Sequence, residues 1–219
     1  VPEKRYAHFS GFDLDHTLVG ANSSARFGLF LFQRGLIPLK RMLYLVYCYS
    51  HHRFLKGSLE ELHRSIFDAF FRGLPLKEIE EQVPHFLDSF LPKKCYRPLY
   101  QRLLQAQERQ DFVCLMSSSP DFLIAPIAAH YGFDGWLATE YLTDEKGRFA
   151  KIGRLVDGEE KALFLRQMAL KLHLSKEDTT AYSDSVLDLP FLLAAGRAVG
   201  VRPSKSLLQI CRKRAWEIL

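Results

Sequence analysis

"GFDLDHTLVG", residues 11–20, sets two aspartates, Asp13 and Asp15, at the end of an apolar stretch and follows them with His16 and Thr17. A carboxylate normally stays in open water, so two of them where a buried strand ends require a cation or strong hydrogen-bond donors. In an extended chain, residues i and i+2 face the same way about 6–7 Å apart, which lets Asp13 and Asp15 converge on one small ligand. Taken alone, the pair also fits a strand-end turn or a helix cap, where Asp is common. The rest of the chain decides between these readings.

Upstream, "YAHFSGF" (6–12) alternates in part and predicts a short strand ending on Asp13. From about 21 to 110, stretches such as "SLEELHRSIFDAFF", "LKEIEEQVPHFLDSFL" and "YRPLYQRLLQAQERQ" space their apolar residues as helices do. A second apolar run, "DFVCLM" (111–116), stops at Ser117, Ser118 and Ser119. Pro120 then opens a helix, "PDFLIAPIAAHYG", for which Ser119 is the expected cap. "DGWLATEYLTDEKGRFAKIG" predicts a strand and a hairpin around Lys146 and Gly147, and "EEKALFLRQMALKLH" a further helix. "TTAYSDS", "LDLPFLLAAG" and "RAVGV" continue as strand, helix and strand. Strands alternating with helices imply an α/β fold whose parallel sheet is covered on both faces. The expected architecture is a Rossmann-like core made of residues 1–20 and 96–219, with a helical cap, residues 21–95, inserted after the first strand.

The totals agree with a globular chain, since 47% apolar and 25% charged residues lie near the soluble average. The longest apolar candidate, "FGLFLFQRGLIPLKRMLYLVYCY" (27–49), is broken by Arg34, Pro38, Lys40 and Arg41 and is no simple membrane span. Cys48, Cys95, Cys114 and Cys211 lack the C-x-x-C spacing of a zinc site or a disulfide framework. No secretory n-region and h-region opens the sequence, so a cytoplasmic setting is expected, with membrane association left open. The net charge of +5 suits an anionic substrate, an anionic membrane surface or nucleic acid alike. Scattered basic residues without a recognised binding motif argue against nucleic acid.

In an open α/β sheet, ligands bind outside the carboxyl ends of the strands. The predicted strands bring Asp13 and Asp15, Ser117, and Asp184 with Asp188 to that edge, and a helix start brings Lys161. Crowded carboxylates repel unless a cation sits among them, and oxygen donors without a His or Cys pattern point to magnesium. Magnesium and a lysine neutralise a phosphoryl group, while a serine hydroxyl and free N–H groups at a helix start hold its other oxygens. A carboxylate in that field can attack phosphorus and form an aspartyl phosphate, which water then hydrolyses. Lys161 has an ordinary alternative, a surface pair with Glu159 or Glu160.

At these residues the chain resembles the haloacid dehalogenase-like superfamily, and most closely its phosphoserine phosphatase-like subfamily I-B. "DLDHT" matches the D-x-D-x-T motif, "LMSS" the strand-closing Ser or Thr, Lys161 the third motif and "SDSVLD" the acidic fourth; "SSSPDFL" and "YSDSVLDLPFLLAAG" carry the subfamily likeness. The resemblance implies a phosphatase in which Asp13 is the nucleophile and Asp15 the general acid and then base. It further implies that Thr17 steadies the loop, that Ser117 and the Ser118 amide grip phosphate, and that Lys161 holds phosphate and nucleophile. Magnesium would be held by Asp13, the Asp15 carbonyl and Asp184, with Asp188 in support. The family more often places Gly or Ser where His16 stands.

Phosphoserine needs a carboxylate for its ammonium and an arginine for its carboxyl group. Where the phosphoserine phosphatases carry that Glu and Arg, this chain has Asn22 and Phe67, with Arg64 the nearest substitute if the alignment slips. The aromatic stretch from Phe27 to Tyr49, interspersed with Arg34, Lys40 and Arg41 and followed by Arg53 and Lys56, has two readings. It packs the cap core, or it contacts an anionic membrane and the substrate is a lipid phosphate rather than a small phosphorylated metabolite. The alternatives are a phosphoserine phosphatase and a non-catalytic phosphate- or membrane-binding module on the same fold.

Overall fold

The computed structural model describes residues 6–44, 47 and 59–219. Cys48, Arg53, Lys56 and the Tyr49 end of the aromatic stretch lie outside the described residues. β1 (Phe9–Asp13) is buried along its whole length, as a strand covered on both faces must be. It pairs in parallel with β2 (Phe112–Pro120) on one side and with β6 (Thr179–Ser183) on the other. β3 (Gly135–Thr139) lies outside β2. On the far side, β7 (Arg197–Gly200) and β8 (Glu217–Ile218) complete a six-stranded parallel sheet in the order β3-β2-β1-β6-β7-β8. The separate antiparallel hairpin β4 (Tyr141–Thr143) and β5 (Phe149–Ile152) turns at the expected Lys146 and Gly147, where Asp144 accepts from the Lys146 and Arg148 amides.

The winding reverses between β1 and β6, which makes the crevice outside their carboxyl ends the switch point where ligands collect in such sheets. Asp13 and Ser183 terminate those two strands. Opposite faces of β1 enter different apolar clusters. Phe9 joins Phe191, Leu192 and Leu165 on one face, while Phe12 stacks on Tyr182 at 4.6 Å on the other.

The cluster containing Phe12 continues into the helical insert. Helices Ser23–Gln33, Leu59–Phe70 and Val83–Lys94 contribute Phe27, Phe67, Phe70, Phe86 and Phe90 to it. Phe71 of the cap packs on Phe122 and Phe149 at 5.6 Å each, so cap and core share one apolar interior. Residues 73–76 also bond to the hairpin, through Gly73 N–H to the Phe149 carbonyl and Phe149 N–H to the Leu74 carbonyl.

Two boundaries differ from the sequence expectation. β2 does not stop at Ser117 but runs on to Pro120, because the chain rejoins β3 at Pro120 and Thr139 after an irregularity beyond Met116. The three serines therefore lie in the strand's last segment, within that shift of register. The helix that follows, Asp121–Tyr131, has Pro120 as its N-cap with no side-chain cap bond, so Ser119 is not its cap. Its hydroxyl has a different partner, described below.

Candidate active site

Each charged residue reaches the site through a local structural cause. Asp13 is the last residue of a buried strand and is 6% exposed. Lys161 lies one turn into helix Gly158–Lys171, whose N-cap Asp157 accepts from the Glu160 amide. Gly158 lets that helix approach the 186–188 turn: a Cβ there would stand 2.2 Å from the Leu187 carbonyl oxygen. The close approach puts the Lys161 ammonium 2.8 Å from Asp188 Oδ2 and 2.7 Å from Asp13 Oδ1. Lys161 is 1% exposed, which replaces the surface pairing with Glu159 or Glu160 by a buried triad.

The second oxygen of Asp13 accepts the Thr17 hydroxyl at 2.7 Å, and the same hydroxyl lies 3.0 Å from Asp184 Oδ1. The Asp184 amide donates back to Thr17 Oγ1 at 3.1 Å. Thr17 thus ties the loop after β1 to the loop after β6. Asp188 Oδ2 accepts from the Lys161 ammonium and from the Ser183 hydroxyl, at 2.7 Å in the latter case. Ser117 is buried, with its Oγ accepting the Ser119 amide at 3.1 Å. Ser118 is half-buried, and its carbonyl accepts from Thr139.

Asp15 is held by another set of donors. The Ser23 amide donates to Oδ1 at 2.8 Å and the Ser119 hydroxyl to Oδ2 at 2.9 Å. Ser23 and Ser24 open the first cap helix, where backbone N–H groups lack internal partners and the helix dipole favours a negative charge. Asn22 is that helix's N-cap and accepts from the Ala25 amide at 2.8 Å. The position where a phosphoserine enzyme carries Glu is therefore occupied by a capping residue.

His16 adopts a left-handed backbone, φ 61°, a region that glycine enters without strain and histidine more readily than most side chains. Its carbonyl accepts the Arg202 guanidinium at 2.6 Å, the Thr17 carbonyl accepts the same nitrogen at 3.1 Å, and Arg202 lies 4.0 Å over the Tyr96 ring. Arg202 thus ties the backbone at 16–17 to the segment that follows β7. Replacing it with alanine is expected to cost about 1–3 kcal/mol in urea unfolding, as for loss of a charge-assisted hydrogen bond, and to lower kcat with it.

Burial dominates the site's electrostatics. It pushes the Asp13 carboxyl up to about 7, helped by the Asp188 charge and opposed by Lys161 and Thr17. Burial pulls the Lys161 ammonium down, but Asp13 and Asp188 outweigh it and hold the lysine charged. Burial raises Asp15 against the Ser23 and Ser119 hydrogen bonds, and raises Asp184 against Thr17. A carboxylate cluster of this kind gains from a cation. Among the described residues no three His, Cys, Asp or Glu side chains converge to hold a metal by themselves. Asp13 and Asp184, linked through Thr17, instead match a magnesium site that uses one or two carboxylates and completes its shell with water and substrate phosphate.

The structure brings together Asp13, Thr17, Lys161, Asp184 and Asp188, and places Asp15 beside the serine strand end. Sequence reading missed Ser119 as a partner of Asp15, and missed Ser23, Ser24, Ser183 and Arg202. The "NSS" at 22–24 was a legible helix start, and Ser183 a legible strand end, but nothing along the chain tied Arg202 to His16.

Residues 11–193 match the family model described as haloacid dehalogenase-like hydrolase. The chain is 31% identical over 216 residues to the phosphoserine phosphatase SerB1 of Mycobacterium tuberculosis, covering 94% of this chain and 68% of that protein. It is 26% identical over 223 residues to a histidinol-phosphatase of Neisseria meningitidis, covering 95% and 96% respectively. Its fold superposes on a Bordetella pertussis protein of unknown function with a TM-score of 0.86 and 23% identity, covering 98% of both chains. With the family motifs standing at the carboxyl edge of this parallel sheet, the chain belongs to the haloacid dehalogenase-like hydrolases and is a phosphatase of the phosphoserine phosphatase-like kind.

Proposed function

We propose that this phosphatase is a magnesium-dependent phosphomonoesterase that works through an aspartyl phosphate on Asp13. One observation carries the reading: the Asp13 carboxylate is clamped between Lys161 and Thr17 at the switch point of the sheet, oriented without being blocked by a covalent or capping role. Asp13 attacks phosphorus, Lys161 neutralises charge on the nucleophile and on the transferring group, and Ser117 with the Ser118 amide takes phosphate oxygens. Asp15 protonates the departing alkoxide and then takes a proton from the water that cleaves the acyl phosphate. Asp13, Asp184 and the Asp15 carbonyl are the groups that would hold magnesium, which when bound offsets the negative charge shared by the carboxylates and the phosphoryl oxygens. Asp188 acts through Lys161. Turnover of p-nitrophenyl phosphate is expected with magnesium and is expected to vanish with EDTA; metal-independent turnover would remove magnesium from the reading.

Free phosphoserine is the less favoured substrate. Asn22 caps a helix, Phe67 is buried edge-on against Tyr141 at 4.8 Å, and Arg64 is already paired with Glu60. A lipid phosphate is the class favoured by the cap surface. The first half of the aromatic stretch is core, with Phe27 and Leu31 buried, but Leu39, Leu43, Tyr44 and Tyr47 are 50–61% exposed beside Lys40 and Arg41. Among the described residues no helix is long and apolar enough to cross a membrane, so the contact would be peripheral. Co-sedimentation with phosphatidylglycerol vesicles is expected, weakened at least about threefold by Leu43→Glu. A protein left wholly in the supernatant would exclude the lipid reading.

A further inference from the structure

A chain of hydroxyls crosses from the cap to the side chain that serves as acid and base. Ser24 Oγ donates to Ser119 Oγ at 2.7 Å, and Ser119 Oγ donates to Asp15 Oδ2 at 2.9 Å. Ser23 Oγ lies 3.3 Å from Ser119 Oγ, while the Ser23 amide holds the other carboxylate oxygen of Asp15 at 2.8 Å. Ser119 comes from the end of β2 in the core; Ser23 and Ser24 are the first residues of the first cap helix. A hydroxyl has one proton and two lone pairs, so with its proton on Asp15 the Ser119 oxygen can accept from both cap serines. Ser119 is 5% exposed and Ser23 fully buried, so water does not readily replace either of them, while Ser24 and Asp15 are half-buried.

We propose that Ser119 is a positioning residue for Asp15, and that Ser23 and Ser24 make it a latch through which the seating of the cap sets the direction of the Asp15 carboxyl group. The inference rests on the reading of Asp15 as general acid. An Asp fixed at both oxygens cannot swing about its side-chain bonds, and proton delivery to a leaving oxygen needs that fixed aim. With the cap helix displaced, Ser119 loses two donors and Asp15 loses its amide donor together. Acid catalysis is then confined to the cap-seated state.

The alternative is that these bonds only finish a helix end. Leaving-group chemistry separates the two. Phenyl phosphate and p-nitrophenyl phosphate differ by one nitro group, but p-nitrophenolate departs readily without a proton whereas phenolate gains more from one. The second-order constant kcat/KM reports the steps through alcohol departure, before water attacks the acyl phosphate. Ser119→Ala is expected to lower kcat/KM for phenyl phosphate by about 10–100-fold and for p-nitrophenyl phosphate by less than about threefold, a part of the usual general-acid contribution. Ser119→Thr restores the wild-type ratio between the esters. Ser24→Ala shifts the ratio in the same direction by a smaller factor. Ser119→Cys, close in volume but a weak donor, reproduces the alanine ratio and covers the case in which the alanine variant folds poorly. Equal losses on both esters, or no loss on either, would overturn the positioning role. Wild-type turnover of p-nitrophenyl phosphate tests the phosphatase reading separately, since only the ratio belongs to Ser119.

Discussion

Asp13→Asn lowers magnesium-dependent turnover by at least about 10⁴-fold, in line with removal of a covalent nucleophile, while the melting temperature holds or rises. The two halves of this result come from the same buried triad. Lys161 carries one positive charge between two carboxylates, Asp13 and Asp188, at 2.7 and 2.8 Å. The asparagine side chain keeps the shape and an acceptor oxygen for the ammonium but cannot form an acyl phosphate. It also removes the surplus negative charge, leaving a balanced Lys161–Asp188 pair. A site that gains stability when its reactive group is neutralised holds that group against its own electrostatics. Steady-state assays beside thermal unfolding in EDTA check both halves.

Lys161→Met produces the opposite imbalance and the largest stability change. Methionine fills much of the volume but leaves two buried carboxylates facing each other, and breaking a buried pair in this way costs about 3–5 kcal/mol. Urea unfolding at neutral pH is the measurement. Adding Asp13→Asn to Lys161→Met is expected to recover part of the loss, because it removes one of the stranded charges; a double-mutant cycle with no recovery would show that the triad is not one electrostatic unit. Turnover is lost in both variants.

Much of this was legible in the chain. The strand–helix alternation after residue 111 required a parallel sheet, and the acidic and hydroxyl residues ending its strands marked one edge of it. What periodicity could not supply was which side chains meet across long separations. Lys161 and Asp13 are 148 positions apart, and their contact depends on the absence of a side chain at Gly158. Ser119 was misread because a serine before a proline at a helix start fits capping equally well. In the structure β2 runs on through a register shift beyond Met116, and the Ser119 hydroxyl donates to Asp15 instead. Arg202 supports the loop after β1 through the His16 and Thr17 backbone carbonyls, contacts that leave no trace in residue types. In the aromatic stretch Phe27, Leu31 and Ile37 are core and Met42 packs against it, while Leu39, Leu43, Tyr44 and Tyr47 face outward after the chain turns at Gly35.

Covalent catalysis by Asp13 is tested most directly by trapping the intermediate. Quenching the enzyme during turnover and reducing it with borohydride converts an aspartyl phosphate to homoserine, which peptide mass spectrometry locates by residue. Homoserine at position 13, absent without substrate and absent in Asp13→Asn, is the predicted result. Sustained turnover with no modified residue at 13, or with the label on another side chain, would contradict it.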